Sequence, residues 1–242
     1  MKDQTSVLKK LKSDNWYKDK NVELTIGDME TAPKVFVTTG NLALDWCISN
    51  RFKDGGFPVG KIVEIFGDPS SGKSVLIARL LAEVQKIGGI AILDDAEYSA
   101  DTKFMSMLGV DINNLIMLSS QTLEEHYEAV KHTVEKIRDT GFSGIICVAL
   151  DSLAAISTKH EIEVGFTKSD MSKAKIVKQG MRILNKLFAT SNVLYLVSNH
   201  TIQNVGVMYG PTSTTPGGGG IKFHSSVRVE MKKKKTIKDE ND

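Results

Sequence analysis

The sequence predicts an α/β fold with a mostly parallel central sheet flanked by helices. From position 61 onward, short runs rich in isoleucine, valine and leucine alternate with segments of helical periodicity. The runs show little alternation of polar and apolar residues, which is typical of strands covered on both faces. Because parallel strands need crossover connections, this regular alternation of strand and helix favours a parallel sheet.

Six runs are the predicted strands: KIVEIF at 61–66, IAILD at 90–94, LIMLS at 115–119, IICVALD at 145–151, VLYLVSN at 193–199 and SVRVEM at 226–231. Between them, apolar residues recur at helical spacing within 123–137 and within 177–188. Segments 157–172 and 201–220 fit neither pattern. The second holds six glycines and no charged residue, and loops of that length in a compact domain are usually functional or disordered.

Three regions are expected along the chain. Residues 1–33 are polar, and their short amphipathic piece with Val7, Leu8 and Leu11 is too small to form a core, which indicates an N-terminal arm. Residues 34–231 form the main domain. Residues 232–242 form a charged tail, whose four lysines at 232–235 favour a solvated segment over a phosphate-binding patch.

The composition indicates the cellular compartment of the protein more clearly than its function. The formal net charge is only +2, so any basic surface must be local, and the bulk numbers indicate neither nucleic acid nor membrane. Cys47 and Cys147 lie far apart, and Cys147 falls in an apolar run, as a free buried thiol would. No run approaches about 20 apolar residues, and the N-terminus lacks an apolar signal core. We therefore expect a cytoplasmic protein without a membrane partner.

The stretch GDPSSGKSV predicts a phosphate-binding turn. It satisfies the GxxxxGKS pattern and lies between a predicted strand and a predicted helix, which is the context that this motif requires. Backbone amides and the helix N-terminus would hold the anion, while Lys73 would reach the β and γ phosphates and Ser74 would bind Mg²⁺. The nucleotide-binding candidates are Gly67, Asp68, Pro69, Ser70, Ser71, Gly72, Lys73, Ser74 and Val75.

Acidic residues follow two of the predicted strands. Asp151 ends the run IICVALD, where an acid that supports the metal is expected at the carboxyl edge of a parallel sheet. Asp94, Asp95 and Glu97 follow the run IAILD at the same edge, and each is a candidate for orienting the water that attacks a phosphate. Solvated turn residues or a helix cap would explain the same positions.

From about Thr38 to Met231 the chain resembles the core of the RecA-type homologous recombinases of bacteria and phages. The similar stretches are TTGNLALDWCI, GGFPVGKIVEIFGDPSSGKS, LDDAEYSAD, LGVDINNL, ALDSLAAI, EIEVG, SNH and VGVMYGPTSTTPGGGGIKF. The resemblance implies a RecA-like P-loop NTPase core that binds ATP and Mg²⁺. It implies that Glu97 is the catalytic glutamate and Asp151 the Walker B acid, with Phe104 stacking on adenine and Asp101 helping to recognise it.

The resemblance also implies two DNA-binding loops. Segment 157–172 matches the first, with Met171 as its inserting apolar residue, and segment 201–220 matches the second, with Val205 as the residue that wedges between base triplets. Gly217 and Gly218 match backbone contacts to DNA phosphate. The family's basic residues near the start of the second loop are absent, so phosphate neutralisation is expected from Lys168, Lys173, Lys175 or backbone amides.

His200 stands where most bacterial members carry a glutamine that senses the γ-phosphate and couples it to the second loop; phage members also carry histidine. Its ring nitrogens can donate toward a phosphate oxygen, so we expect it to keep that switching role.

The implied function is an ATP-dependent, single-stranded DNA-binding recombinase that forms helical filaments through its N-terminal arm. It would pair with double-stranded DNA and promote strand exchange in recombination, DNA repair and the SOS response, as a DNA-dependent ATPase. Family members continue beyond KKKKTIKDEND with further strands, lysines that reach the neighbouring subunit's nucleotide, and a small C-terminal domain. This predicts a truncated or split recombinase, or one whose remaining functions come from another chain. The alternatives are a RecA-fold motor, such as a hexameric helicase or related ring ATPase, and a non-hydrolysing regulatory subunit.

Overall fold

A computed structural model of the chain describes residues 4–20, 24, 32–165, 172–203 and 213–234. The chain forms two compact units, residues 1–32 and 33–242. In the first unit, helices α1 (Gln4–Lys12) and α2 (Asn15–Asp19) contain no buried residue, and the Asp14 side chain caps α2 by accepting from the amide of Trp16 at 2.9 Å. This unit therefore has no hydrophobic core within its described residues.

The second unit is built on ten described strands. They are β1 (Phe36–Val37), β2 (Phe57–Pro58), β3 (Ile62–Gly67), β4 (Ile90–Asp95), β5 (Leu115–Leu118), β6 (Ile146–Asp151), β7 (Val193–His200), β8 (Ile202–Gln203), β9 (Ser213–Thr214) and β10 (Ser225–Met231). Six of them form one parallel sheet in the order β10-β3-β7-β6-β4-β5. The α/β fold with a parallel central sheet is thus confirmed, with all six predicted strands in place.

Seven helices of this unit lie within the described residues. They are α3 (Leu42–Ser49), α4 (Lys73–Lys86), α5 (Thr102–Met107), α6 (Leu123–Asp139), α7 (Lys159–Val164), α8 (Ser172–Thr190) and α9 (Gly219–His224). Two of the helices correct the prediction of irregular structure. Segment 157–172 includes α7, whose start is fixed by a reciprocal cap between Thr158 and Glu161. Segment 201–220 includes the antiparallel pair of β8 and β9 and the first turn of α9.

The core has two halves, one on each face of the sheet. Leu80 and Leu81 of α4 pack on one face, while α6 and α8 cover the other with residues such as Val130 and Met181. Phe188 of α8 stacks on a tyrosine of β7, with ring centroids 4.7 Å apart. Every residue of β6 is buried, as expected for a strand covered on both faces.

This topology places the carboxyl ends of four strands at one edge of the sheet. Gly67 of β3 lies in register with His200 of β7, and Asp95 of β4 lies in register with Asp151 of β6. The strands β3 and β4 are consecutive in the chain but are separated in the sheet by β7 and β6. Ligands bind at such switch points in open parallel sheets. No helix among the described residues is long and apolar enough to cross a membrane.

Candidate nucleotide site and its links to the second loop

The turn between β3 and α4 has the shape of an anion-binding loop. Gly67 has φ 154°, and a Cβ there would lie 2.1 Å from the carbonyl oxygen of Met231, so only glycine fits. Gly72, with φ 96°, directly precedes α4, whose first amides face the turn. The Oγ of Ser71 is buried and has no hydrogen-bond partner within the described residues. A phosphate oxygen would supply that missing acceptor.

Lys73 closes the turn from inside. Its side chain is 6% exposed, and Nζ donates to the carbonyl oxygens of Gly67 at 3.1 Å and Asp68 at 2.9 Å. The ammonium is therefore fixed at the centre of the loop, on neutral acceptors that a phosphate would outcompete.

A cleft of about 240 Å³ opens beside this turn. Its polar and aromatic lining residues are Ser74, Asp95, Ser99, Asp101, Phe104 and Asp151. Phe104 is 46% exposed, which leaves its ring accessible for stacking. The structure thus brings the predicted adenine residues and the predicted metal residues into one cleft.

Asp101 has a structural task in addition to the predicted one. Its Oδ1 caps α5 by accepting from the amides of Lys103 at 2.9 Å and Phe104 at 3.1 Å. This cap fixes the position of the Phe104 ring at the start of the helix.

Ser74 and Asp151 offer the oxygen ligands that suit Mg²⁺. Asp151 is 8% exposed, and its Oδ1 accepts from the hydroxyl of Ser198 on β7. Within the described part of the chain, no group of three or more acidic, histidine or cysteine side chains forms a metal cluster. Because Mg²⁺ is commonly held by one or two protein ligands together with substrate phosphates and water, the pair fits a metal that arrives with a nucleotide.

Glu97 lies at the centre of a small hydrogen-bond network. The amides of Ala96 and Glu97 both donate to the carbonyl oxygen of Asp151, at 2.8 and 3.2 Å, which fixes the backbone after β4. Its Oε1 accepts from the hydroxyl of Ser152 at 2.5 Å and from Nε2 of His200 at 2.9 Å. The Nδ1 atom of His200 is buried without a partner among the described residues.

The surroundings keep the Glu97 carboxyl ionised. Burial acts to raise its pKa, but the hydrogen bonds from Ser152 and His200 and the electrostatic interactions with His200 and Lys73 outweigh burial and lower it. An ionised carboxylate at neutral pH is the form that a general base requires.

Of the three acids at the carboxyl end of β4, only Glu97 is positioned in this way. The candidate Asp94 is wrong for a water-facing role, since it is fully buried and bonded to Ser120 and His126. Asp95 accepts from the amides of Ser99 at 3.3 Å and Ala100 at 2.8 Å, so it shapes the turn before α5.

Three hydrogen bonds that the sequence did not predict connect β3 and the nucleotide turn to the second loop. The hydroxyl of Thr201 donates to Oδ1 of Asp68. The fully buried Asn199 donates from Nδ2 to Oε1 of Glu64 at 3.1 Å and to the carbonyl oxygen of Pro216 at 3.0 Å. The signal in the sequence was the polar triplet SNH at the end of an otherwise apolar strand. Pro216 lies immediately before the glycine run.

The glycine run packs against α8. Gly217 and Gly218 have φ values of 87° and 63°, and a Cβ on Gly218 would lie 3.0 Å from the Cβ of Ala174. A Cβ on Gly220 would lie 3.0 Å from the backbone of Lys178. The glycines therefore permit close approach of α9 to α8, a packing role that is separate from the predicted contacts of Gly217 and Gly218 with DNA phosphate.

Helix α8 carries five cations and no acidic residue, namely Lys173, Lys175, Lys178, Arg182 and Lys186. Lys173 is partly buried, its Nζ donates to the carbonyl oxygen of Ala154 at 3.1 Å, and burial lowers its pKa. The other four are exposed. The predicted DNA contacts Met171, Val205 and Lys168 lie outside the described residues.

Comparison with known proteins agrees with this architecture. The family model described as the RecA N-terminal domain matches residues 7–242. Protein RecA of Francisella philomiragia subsp. philomiragia is 38% identical over 218 residues, covering 89% of this chain and 58% of the relative. Protein RecA of Francisella tularensis subsp. novicida is 38% identical over 222 residues, covering 91% and 59%. The chain thus spans less than two thirds of the length of these relatives. It belongs to the RecA N-terminal domain family.

Proposed function

We propose that this chain is the core of an ATP-dependent recombinase, which binds single-stranded DNA, hydrolyses ATP in response and promotes strand exchange with double-stranded DNA. The observation that carries the proposal is the path from Glu97 through His200 to its neighbour Asn199, which holds Pro216 at the base of the second loop. Through such a path, a change in the bound nucleotide would alter the conformation of the loop that binds DNA.

In this proposal ATP occupies the cleft and the turn. Phe104 and Asp101 take the adenine, residues 67–75 take the phosphates, and Lys73 exchanges its two carbonyl acceptors for phosphate oxygens. Ser74 and Asp151 would hold Mg²⁺, which would neutralise charge on the phosphates. The Ser71 hydroxyl, which lacks a partner in the described part of the chain, and the buried Lys73 both favour an anion at this position.

Hydrolysis would use Glu97 as the group that orients and deprotonates water. The water oxygen bonds to the γ-phosphorus, the bond to the bridging oxygen breaks, and that electron pair leaves with ADP. One water proton goes to the Glu97 carboxylate. Positioning and charge stabilisation supply most of the acceleration in reactions of this class.

His200 would act as the switch. In the structure it bonds to Glu97, while its second ring nitrogen is buried and has no partner among the residues described. A γ-phosphate would compete with Glu97 for the imidazole, and a movement at His200 would reach Pro216 through Asn199. An order-disorder change of the second loop is then the output of the switch.

The proposed DNA surface is the start of α8 with the adjoining glycine run. Lys173, Lys175 and the amides of Gly217 and Gly218 are the predicted phosphate contacts, and the exposed Lys178 joins them because Gly220 packs on its backbone. Met171 and Val205 are proposed to insert between bases. Contacts to phosphates and to base faces tolerate any sequence and are strongly salt dependent.

Self-association would occur head to tail, with residues 1–33 of one subunit on the core of the next, which generates an open helix. The apolar residues of α1 are uncovered within the first unit, which supports a role in contacting a partner. We place the protein in the cytoplasm, in DNA recombination and repair.

The direct test is phosphate release with and without single-stranded DNA, using the wild type and Glu97→Gln. DNA-stimulated turnover that the variant lowers to a small residual rate would support the proposal, and unstimulated or absent turnover would refute it. Electron microscopy with a non-hydrolysed ATP analogue and single-stranded DNA adds an independent outcome. Open helices agree with a recombinase, whereas closed rings would favour a ring motor.

A further inference from the structure

Ser152 stands out among the residues around the cleft because, within the described residues, its hydroxyl makes a single hydrogen bond. It follows Asp151 at the end of β6 and is fully buried. Its hydroxyl donates to Oε1 of Glu97 at 2.5 Å, across 55 positions of sequence. A buried hydroxyl committed to one carboxylate holds that carboxylate in one orientation.

The two carboxylate oxygens of Glu97 have different surroundings. Oε1 receives both donors, Ser152 and His200. Oε2 accepts no hydrogen bond from the residues that the structure describes. The side chain is 28% exposed, so the carboxylate can still meet water. The arrangement occupies one oxygen and leaves the other to accept a proton.

The two donors differ in how firmly they are held. His200 is 30% exposed, and in the proposed switch it turns from Glu97 toward the γ-phosphate. Ser152 is fully buried. The residue before it, Asp151, accepts a hydrogen bond from the Glu97 amide through its carbonyl oxygen, which ties this backbone segment to Glu97. Once His200 has left, Ser152 is the donor that remains.

We propose that Ser152 is a positioning residue, which keeps the Glu97 carboxylate aimed with Oε2 toward the attacking water after His200 has moved to the nucleotide. This inference rests on the proposed ATPase function and adds to it. Ser152 touches neither water nor nucleotide, and it acts through Glu97 alone. The proton of the water goes to Oε2, while the Ser152 hydroxyl keeps its own proton on Oε1.

The test is steady-state ATP hydrolysis with saturating single-stranded DNA by four proteins: wild type, Ser152→Ala, Glu97→Gln and the double variant. For Ser152→Ala, kcat should fall by about 10- to 100-fold, the effect of a misplaced reacting group, while KM for ATP changes by no more than about 2-fold. On the Glu97→Gln background, the same substitution should have no further effect, because its target is gone. Thr190→Ala, which removes an exposed hydroxyl at the end of α8, is the matched control and should equal wild type.

Two readouts separate a positioning role from damage to the fold. Binding of a fluorescent ATP analogue should be the same for Ser152→Ala and wild type. Ser152→Ala should unfold at a lower temperature because it loses a buried hydrogen bond, but circular dichroism should show that it is fully folded at the assay temperature. Ser152→Cys fills nearly the same space with a much weaker donor, so it should reproduce the loss of kcat.

The outcomes distinguish this inference from the function on which it rests. If the wild type shows no Glu97-dependent turnover, the proposed function fails and the role of Ser152 fails with it. If the wild type is active and Ser152→Ala has an unchanged kcat, only the role of Ser152 is overturned. The same conclusion follows if the effects of the two substitutions multiply in the double variant.

Discussion

Replacing Asp94 by alanine should strongly destabilise the fold, although Asp94 lies only three positions before Glu97 in the chain. The side chain is fully buried and accepts three hydrogen bonds, from the Ser120 amide at 3.1 Å, the Ser120 hydroxyl at 2.5 Å and Nδ1 of His126 at 2.7 Å. The second ring nitrogen of His126 pairs with the hydroxyl of Tyr195 at 2.7 Å. The network thus connects β4, α6 and β7 inside the core.

The magnitude follows from what the substitution leaves behind. Asp94→Ala strands a buried imidazole and a buried hydroxyl, and removing one partner from such a pair costs about 3 to 5 kcal/mol. Since about 1 kcal/mol shifts Tm by roughly 2–4 °C in a chain of this size, Tm should fall by about 6–20 °C. Ser120→Ala keeps the hydrogen bond from the Ser120 amide to Asp94 and loses only the one from the hydroxyl. Its cost in free energy of unfolding should be about 1.5 to 3 kcal/mol.

Urea unfolding at pH 7, followed by circular dichroism, measures these differences as free energies of unfolding. Asp139→Ala is the matched control, since Asp139 also pairs with a cation, Lys136 at 3.3 Å, but its side chain is 68% exposed. The control should change the free energy by less than about 1 kcal/mol. An Asp94→Ala protein as stable as the control would show that the buried hydrogen bonds of Asp94 do not stabilise the fold.

The remaining predictions concern pH, the turn and DNA. Burial acts to raise the pKa of Asp94, but His126 and Ser120 lower it overall; the stabilisation is therefore complete above the ordinary aspartate pKa of about 3.9 and is lost as pH falls below it. Wild type should lose more stability than Asp94→Asn between about pH 4 and pH 2 in acid titrations, and parallel curves would contradict this. Gly67→Ala should abolish nucleotide binding in calorimetry, because its Cβ would lie 2.1 Å from a backbone oxygen; unchanged affinity would show that the turn adapts. Lys178→Ala should reduce the salt slope of single-stranded DNA binding by about 0.7. Lys186→Ala, about 12 Å farther along α8, should leave the slope unchanged, and equal effects would refute a local DNA surface.

The sheet and the phosphate turn were predictable because their signals are local. Each strand is a short apolar run between polar segments, and the turn combines a fixed pattern with a strand before it and a helix after it. Segment 157–172 was predicted to be irregular because α7 is only six residues long and carries little apolar periodicity. Its start depends on the Thr158 cap, which is a weak signal in sequence.

The roles of the three acids at the carboxyl end of β4 were not separable from sequence position alone. Successive residues of a strand point to opposite faces, so Asp94 enters the core beside His126 while Asp95 shapes the next turn. Which neighbours meet Glu97 depends on strands far away in the chain. Ser152 and His200 reach it only because β6 and β7 lie side by side.

In the proposed mechanism, the nucleotide in the cleft governs whether the second loop and α8 hold single-stranded DNA. This coupling can be measured by the fluorescence anisotropy of a labelled oligonucleotide, titrated with the protein in Mg²⁺, with and without a non-hydrolysed ATP analogue. We predict that the analogue tightens DNA binding at least about 10-fold, equivalent to about 1.4 kcal/mol of coupling, and that His200→Ala removes this gain. Equal affinities with and without the analogue would show that nucleotide and DNA bind independently, which the proposed mechanism excludes.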